Sequence, residues 1–66
     1  MEGARLLKRD DVVAYTQITV PTIYYLMDQG RFPRPIRVGK RSVRWVREEI
    51  DQWVNERTQE RDLETQ

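Results

Sequence analysis

The chain has 66 residues and a formal net charge of +1, so it holds one small domain and leaves no room for a buried catalytic cleft. Cysteine and histidine are both absent, which excludes disulfide bridges, thiolate chemistry and zinc sites built from those ligands. With 38% hydrophobic and 35% charged residues, and no apolar run near the ~20 residues that span a bilayer, we expect a folded cytoplasmic protein that binds no metal, cofactor or small-molecule ligand.

The positive charge is concentrated in the middle of the chain. Residues 29–47 carry seven basic side chains and no acid, whereas residues 48–66 carry seven acids and two basic side chains. Charges that only kept a surface solvated would be interspersed in sign. The segregation therefore predicts that the middle segment faces an anionic partner. Its basic residues are Arg31, Arg34, Arg37, Lys40, Arg41, Arg44 and Arg47.

The first part of the chain predicts a strand followed by a short helix. Residues 1–4 are expected to be a flexible N-terminus, and the stretch Arg5–Leu7 is expected to be an edge strand. A helix is expected over Arg9–Tyr15, because Asp10 and Asp11 suit the positive end of its dipole and Asp11 can bond back to the first turn. Core contacts are expected from Val12, Val13 and Ile18.

A second helix is predicted from Thr19 to Gly30. Thr19 offers a capping hydroxyl ahead of Pro21, and proline is favoured in a first helical turn. Glycine readily ends a helix in the left-handed conformation. The spacing directs three apolar side chains inward, Ile23, Leu26 and Met27. The outside of the helix is then formed by Val20, Pro21, Tyr24, Tyr25 and Asp28.

A basic β-hairpin is predicted after the second helix. Pro33 and Pro35 prevent a helix at that point, and the residues that follow alternate between apolar and polar, as in a half-buried hairpin. Pairing the apolar positions sets Arg37 directly opposite Arg44, and two guanidinium groups so placed repel each other unless an anion lies over them. The hairpin is expected to turn through Gly39, Lys40 and Arg41 and to pair Val38 with Val43 and Ile36 with Trp45.

A last helix is predicted over Val46–Arg57, packed behind the hairpin. Glu48 and Glu49 suit its first turn. Apolar side chains recur on one face at helical spacing and are expected in the core. They are Val46, Ile50, Trp53 and Val54, joined in the core by Trp45 from the hairpin.

Together these elements have the order of a winged helix-turn-helix, a small mainly-α fold with a β-hairpin wing. The domain is expected to span residues 5–57, followed by a flexible acidic tail over residues 58–66. Such a fold places its second helix in the major groove of DNA, which is about 12 Å wide. Base contacts are expected from Thr19, Thr22, Tyr24 and Tyr25. Wing contacts with phosphates or a minor groove are expected from Arg37, Lys40, Arg41 and Arg44, with Arg31, Arg34 and Val20 ranked below them.

Simpler roles remain open for two of these residues. Tyr25 is equally well a core side chain with a solvated hydroxyl, and Thr22 equally well a hydroxyl for the first turn of its helix. An enzyme is not predicted, because helix starts explain the adjacent acid pairs. The alternative function is a protein–protein adaptor whose basic wing docks an acidic partner.

Four groups of residues together form a more specific pattern. They are Thr22, Ile23, Tyr24, Leu26 and Met27; then Gly30, Arg31, Phe32, Pro33, Arg34 and Pro35; then Ile36 to Arg41 with Gly39; and finally Trp45, Glu49, Ile50 and Trp53. In these residues the chain resembles the AlpA-type prophage regulators, which are related to MerR-like DNA-binding domains and to phage excisionases. The resemblance spans about Leu6–Arg57.

The resemblance implies a winged helix-turn-helix that binds double-stranded DNA near an integrase gene or an attachment site. Its role there would be that of a transcriptional regulator, an excision directionality factor or both, in the nucleoid of a bacterial or phage system, with integrase as a partner. The chain departs from the family pattern at Val20 and Pro21, where polar or basic residues are usual, and at Tyr25, where arginine is common. Because a DNA-binding domain of this size contacts few base pairs, we also expect the protein to associate with neighbouring copies of itself on DNA.

Overall fold

The computed structural model describes the backbone of residues 5–64 and the side chains of residues 5–61. The element order confirms a small, mainly helical winged helix-turn-helix. The predicted flexible N-terminus, residues 1–4, lies outside the described residues, as do residues 65–66 of the predicted tail. The elements are β1 (Leu6–Leu7), α1 (Arg9–Thr16), α2 (Val20–Asp28), β2 (Ile36–Arg37), β3 (Val43–Val46) and α3 (Arg47–Glu64).

The three strands form one antiparallel sheet in the order β1-β3-β2. The predicted edge strand is confirmed, since β1 pairs only with β3 and places Leu6 opposite Val46 and Leu7 opposite Trp45. The chain's first strand therefore closes one side of the hairpin that its middle segment forms. This pairing brings the start of α1 close to β3.

One hydrophobic core joins the helices to the inner face of the sheet. The inward positions predicted for α2 are confirmed, because Ile23 and Met27 are buried and Leu26 packs against them. The core contacts predicted for Val12, Val13 and Ile18 are also confirmed. Phe32, for which no core position was predicted, is buried as well. The buried cluster consists of Val12, Ile23, Met27, Phe32, Trp45 and Ile50.

The start of α1 depends on a side-chain bond to the backbone. Lys8 is the N-cap residue and has an extended conformation, but a lysine side chain has no acceptor for the free amides of a first turn. Instead, the backbone N–H of Lys8 donates to the carboxylate of Asp11 at 3.0 Å. The predicted bond from Asp11 back to the first turn is thus confirmed.

The last helix differs from its predicted bounds at both ends. Val46 belongs to β3, so α3 begins at Arg47, and the helix continues to Glu64 instead of ending at about Arg57. An ion pair between Arg57 and Glu60 at 2.8 Å supports the added turns, because opposite charges three residues apart are neighbours on a helix. The boundary of the folded domain at residue 57 stays a prediction.

Two tryptophans fasten the loop between α2 and the hairpin. The indole N–H of Trp53 donates to the carbonyl of Arg31 at 2.7 Å, and that of Trp45 donates to the carbonyl of Pro33 at 2.9 Å. The ring of Phe32 stands edge-on to that of Trp53, at 4.9 Å between centroids. Trp45 is buried and Trp53 half-buried, and an indole whose N–H is satisfied in this way helps to hold the loop. The hairpin therefore has a fixed position relative to α2.

Candidate nucleic-acid interface

The turn between α1 and α2 is three residues long and built from side-chain and backbone bonds. Gln17 adopts the left-handed conformation, with φ of 62°, and its backbone N–H donates to the carbonyl of Val13 at 2.7 Å. The hydroxyl of Thr16 donates to the carbonyl of Val12 at 2.8 Å and accepts from the N–H of Ile18 at 3.2 Å. A short turn of this kind sets the angle between the two helices of a helix-turn-helix.

The far end of α2 is closed at Gly30. Its N–H donates to the carbonyl of Met27 at 2.9 Å, and the N–H of Arg31 donates to the carbonyl of Leu26 at 2.8 Å. These two bonds, with φ of 69° at Gly30, form a Schellman motif, for which glycine is the favoured residue. The predicted glycine end of the second helix is confirmed.

The exposed side of α2 carries the residues predicted to contact bases. Tyr25 is 59% exposed and Tyr24 38% exposed, so Tyr25 is not a core residue, and it presents more surface than Tyr24. Thr22 is exposed and Val20 half-buried. Thr19 takes the predicted N-cap position, but its hydroxyl makes no capping bond to the helix backbone and donates to the hydroxyl of Thr22 at 3.1 Å. All of these side chains lie on or beside one helix.

The register of the hairpin differs from the predicted one by one residue. Ile36 lies opposite Arg44, and Arg37 lies opposite Val43. The N–H of Val38 donates to the carbonyl of Ser42 at 2.9 Å, so the turn between these two residues contains three residues, and turn length sets the register of a hairpin.

This shift overturns two predictions about the hairpin. Residues directly opposite each other share a face of the sheet and successive residues alternate, so Arg37 and Arg44 lie on opposite faces. Mutual repulsion of this pair therefore gives no argument for an anionic partner. For the same reason Ile36 and Val38 are turned away from the core and are 44% and 46% exposed, although both were expected in its half-buried face.

The cations of the hairpin have no acidic partner among the described side chains. Arg37, Lys40 and Arg41 are exposed and Arg44 is half-buried. The guanidinium of Arg37 donates to the carbonyl of Lys40 at 3.5 Å, and that of Arg44 to the carbonyl of Val43 at 2.8 Å. Ion pairs elsewhere in the described chain join Arg47 to Asp51 and Arg57 to Glu60.

The two loop arginines are placed differently from the hairpin residues. Arg34 donates from its guanidinium to the carbonyl of Met27 at 3.2 Å, which ties the loop to the end of α2. Arg31 is exposed, and its carbonyl accepts the indole N–H of Trp53. Neither is bound to a carboxylate among residues 5–61. Arg34 therefore has a structural contact of its own, whereas the Arg31 side chain faces solvent.

A groove beside the hairpin contains two cations that the sequence pattern did not indicate. Lys8 and Arg9, at the start of α1, line it together with Arg41 and Arg44 from the hairpin, and its volume is about 280 Å³. Asp10 and Asp11 in the first turn of α1 offset the positive end of its dipole, so the positive charge of the groove comes from the four basic side chains. In the sequence, Lys8 and Arg9 belong to a segment of nearly neutral charge, and no local signal connects them to the hairpin. The groove is completed by Asp10, Ser42 and Val43.

A polar cluster on the other side of α1 has a structural explanation. The hydroxyl of Tyr15 donates to the carboxylate of Asp51, and Arg47 lies 5.8 Å from the centre of the Tyr15 ring. The hydrogen bond to Asp51 raises the pKa of Tyr15 above its ordinary value. The cluster joins α1 to α3.

No group of three or more acidic residues in the described part of the chain is placed to hold a metal ion, and the adjacent acid pairs lie in the first turns of α1 and α3. Within residues 5–64, none of the helices combines the length and apolar character that crossing a bilayer requires.

Comparison with known proteins identifies one relationship. The family described as prophage CP4-57 regulatory protein (AlpA) matches residues 5–58, which is most of the chain. No curated protein and no solved structure matches the chain. The matched range contains α1, α2, the whole hairpin and the part of α3 that packs on the core.

Proposed function

Because the chain belongs to the AlpA family of prophage regulatory proteins, we propose that it binds double-stranded DNA sequence-specifically through α2 and the hairpin. Residues of α2 and its N-cap, Thr19, Thr22, Tyr24 and Tyr25, contact base edges in the major groove. The hairpin lies on adjacent phosphates or in the neighbouring minor groove. Its contacts come from Arg37, Lys40, Arg41 and Arg44, with Arg31, Arg34 and Val20 in secondary roles.

The observation that carries this proposal is the positive charge of the hairpin, which forms no ion pair with the described side chains. The chain has nearly as many acids as bases, yet no described carboxylate forms an ion pair with a hairpin cation. Positive charge left unpaired in this way attracts a polyanion. Lys8 and Arg9, which line one groove with Arg41 and Arg44, extend the basic side chains of the hairpin to the start of α1.

A salt titration with a random-sequence duplex tests the proposal. If DNA is the partner, the logarithm of affinity falls linearly with the logarithm of salt concentration, by about 0.9 for each phosphate neutralised. With four to six contacts the slope is about −4 to −5. A flat response, or no binding to any duplex, would contradict DNA binding and favour the adaptor that docks an acidic protein.

Whether the protein regulates transcription or directs excision depends on the position of its DNA site. Binding over a promoter would make the protein a transcriptional regulator, whereas binding beside an attachment site, together with integrase, would make it an excision directionality factor. Mapping protected DNA around the gene's own neighbourhood separates the two. In either case the protein acts at the nucleoid of its bacterial host.

Several copies on adjacent sites are expected to act together. One chain of 66 residues contacts only a few base pairs, and the specificity that a genome demands is larger than such a contact provides. Footprints should therefore cover repeated sites. A single isolated footprint of one copy would contradict this part of the proposal.

A further inference from the structure

The second helix lacks the side chains that most often read bases by hydrogen bonds. Guanine is usually read by arginine or lysine and adenine by asparagine or glutamine, each through two bonds. None of these four residue types occurs in α2. The glutamine nearest its start, Gln17, already donates its side-chain amide to the carbonyl of Ala14 at 2.8 Å.

What α2 presents instead is mainly apolar. Pro21, Thr22 and Tyr25 are exposed, and Pro21 and Tyr25, four residues apart, lie on one face of the helix. The hydroxyl of Thr22 already accepts a bond from Thr19. The proline ring, the threonine methyl group and the aromatic ring of these residues are therefore available to a partner on the exposed side of α2.

The acid of α2 indicates which half of the helix approaches DNA. Asp28 is exposed in the last turn, where its carboxylate would be repelled by phosphates. The first half of the helix carries no charge. Recognition helices contact bases mainly with their N-terminal residues. Pro21 and Thr22 lie in that half of α2, and Tyr25, one turn after Pro21, lies just past its middle.

The major groove offers one apolar group to such a surface, the 5-methyl group of thymine. We propose that Pro21, Thr22 and Tyr25 select DNA sites by packing against thymine methyl groups, in place of paired hydrogen bonds to guanine or adenine. This inference rests on the proposed DNA-binding function and specifies the bases that the helix prefers. It also explains why α2 keeps these apolar side chains exposed, because DNA would cover them in the complex.

The experiment compares thymine with uracil in otherwise identical duplexes. Duplexes bound by the full chain are first selected from a random 30-base-pair pool, and the best binders are then synthesised with deoxyuridine in place of thymidine. Uracil pairs as thymine does but lacks the methyl group. Removing the methyl groups is expected to weaken binding about fourfold for each one that α2 covers, while the salt slope stays unchanged because phosphate contacts are retained.

Matched variants separate methyl contact from a change in DNA shape. Thr22→Ser keeps the hydroxyl and removes the methyl, so it is expected to reduce the thymine-to-uracil affinity ratio. Lys40→Ala is expected to weaken both duplexes equally and leave the ratio unchanged.

The outcomes distinguish failure of the thymine inference from failure of the proposed DNA binding. Equal affinity for the thymine and uracil duplexes, or a ratio that Thr22→Ser leaves unchanged, would overturn the thymine inference while leaving DNA binding intact. Absence of salt-dependent binding to any duplex in the pool would overturn the proposed function and the inference with it.

Discussion

The second helix and the hairpin are neighbouring surfaces with opposite chemistry. The helix presents apolar and hydroxyl side chains and one acid, whereas the hairpin presents four cations without an acid among them. The two surfaces also differ in how they are held. Both contribute to the core, α2 through Ile23 and Met27 and the hairpin through Trp45, but the hairpin is also held by the loop before it, which two indole N–H bonds fasten.

The difference indicates that affinity and discrimination reside in separate parts of the molecule. Charge acts at long range and reads no sequence, so the hairpin is suited to hold any duplex. Apolar and hydroxyl groups act only in contact, so α2 is suited to distinguish one duplex from another. A domain with few residues gains from this division, because neither surface must perform both tasks.

The largest effect is expected from removing the two cations at the hairpin tip. Lys40→Ala combined with Arg41→Ala should weaken binding to all sequences by roughly tenfold to a hundredfold at physiological salt, and should reduce the salt slope by up to about 1.8. Measuring affinity by fluorescence anisotropy over a salt series checks both values. Arg61→Ala, which removes a positive charge from α3 instead, is the control. If the double variant retained full affinity, the hairpin would have no role in holding DNA.

Substitutions on α2 should change the preference among sequences instead of the affinity for all of them. Tyr25→Ala and Tyr24→Ala are each expected to weaken binding to a selected duplex by roughly tenfold, since base contacts contribute about 1–3 kcal/mol of discrimination. Binding to random duplexes and the salt slope should change little. The greater exposure of Tyr25, at 59% against 38% for Tyr24, makes its effect the larger. A uniform loss on all duplexes would show that α2 supplies affinity instead of preference.

Substitutions at the two left-handed residues, Gln17 at the C-cap of α1 and Gly30 after the end of α2, test the stability of the helix-turn-helix apart from its two surfaces. Gly30→Ala should lower the free energy of unfolding by about 1 kcal/mol through backbone strain alone, because a Cβ there meets no atom within 4 Å. Gln17→Gly should raise it by less than about 1 kcal/mol, since it relieves similar strain but loses the bond to Ala14. Urea denaturation measures both changes. Affinity per folded molecule should be unaltered.

A smaller effect on binding is expected at the start of α1. Lys8→Ala and Arg9→Ala should each weaken binding to all duplexes about threefold and lower the salt slope by no more than about 0.9. The Lys8 substitution keeps the backbone N–H that bonds to Asp11, so the helix start is preserved. If neither variant altered the slope, the positive surface would end at the hairpin.

The smallest effect is expected at Tyr15, which lies outside both surfaces. The bond to Asp51 raises the pKa of Tyr15, so its contribution to stability is complete below the ordinary tyrosine pKa and is lost as pH rises through the raised value. Tyr15→Phe should therefore reduce the alkaline loss of stability, measured by thermal denaturation across pH, and leave DNA affinity unchanged. A change in affinity would mean that the α1–α3 contact orients the interface.

Local patterns predicted much of this fold. The helices around Val12 and Ile23 follow from apolar spacing, and the ends at Asp11 and Gly30 follow from capping chemistry that involves residues close in the chain. The hairpin itself followed from alternation, but its register did not. Alternation favoured the register that pairs apolar with apolar positions, but the three-residue turn around Lys40 set a register one residue away and turned Ile36 and Val38 from the core.

The sequence by itself determined the element types, the core face of each helix and the concentration of positive charge, because each depends on the period, the caps or the composition of a short segment. Only the tertiary structure decided that Arg37 and Arg44 lie on opposite faces and that Lys8 and Arg9 join Arg41 and Arg44 at one groove. The first relation depends on the backbone geometry of the hairpin turn, which the alternation of residue types does not specify. The second joins segments distant in the chain, and strand pairing and packing around a shared core set it.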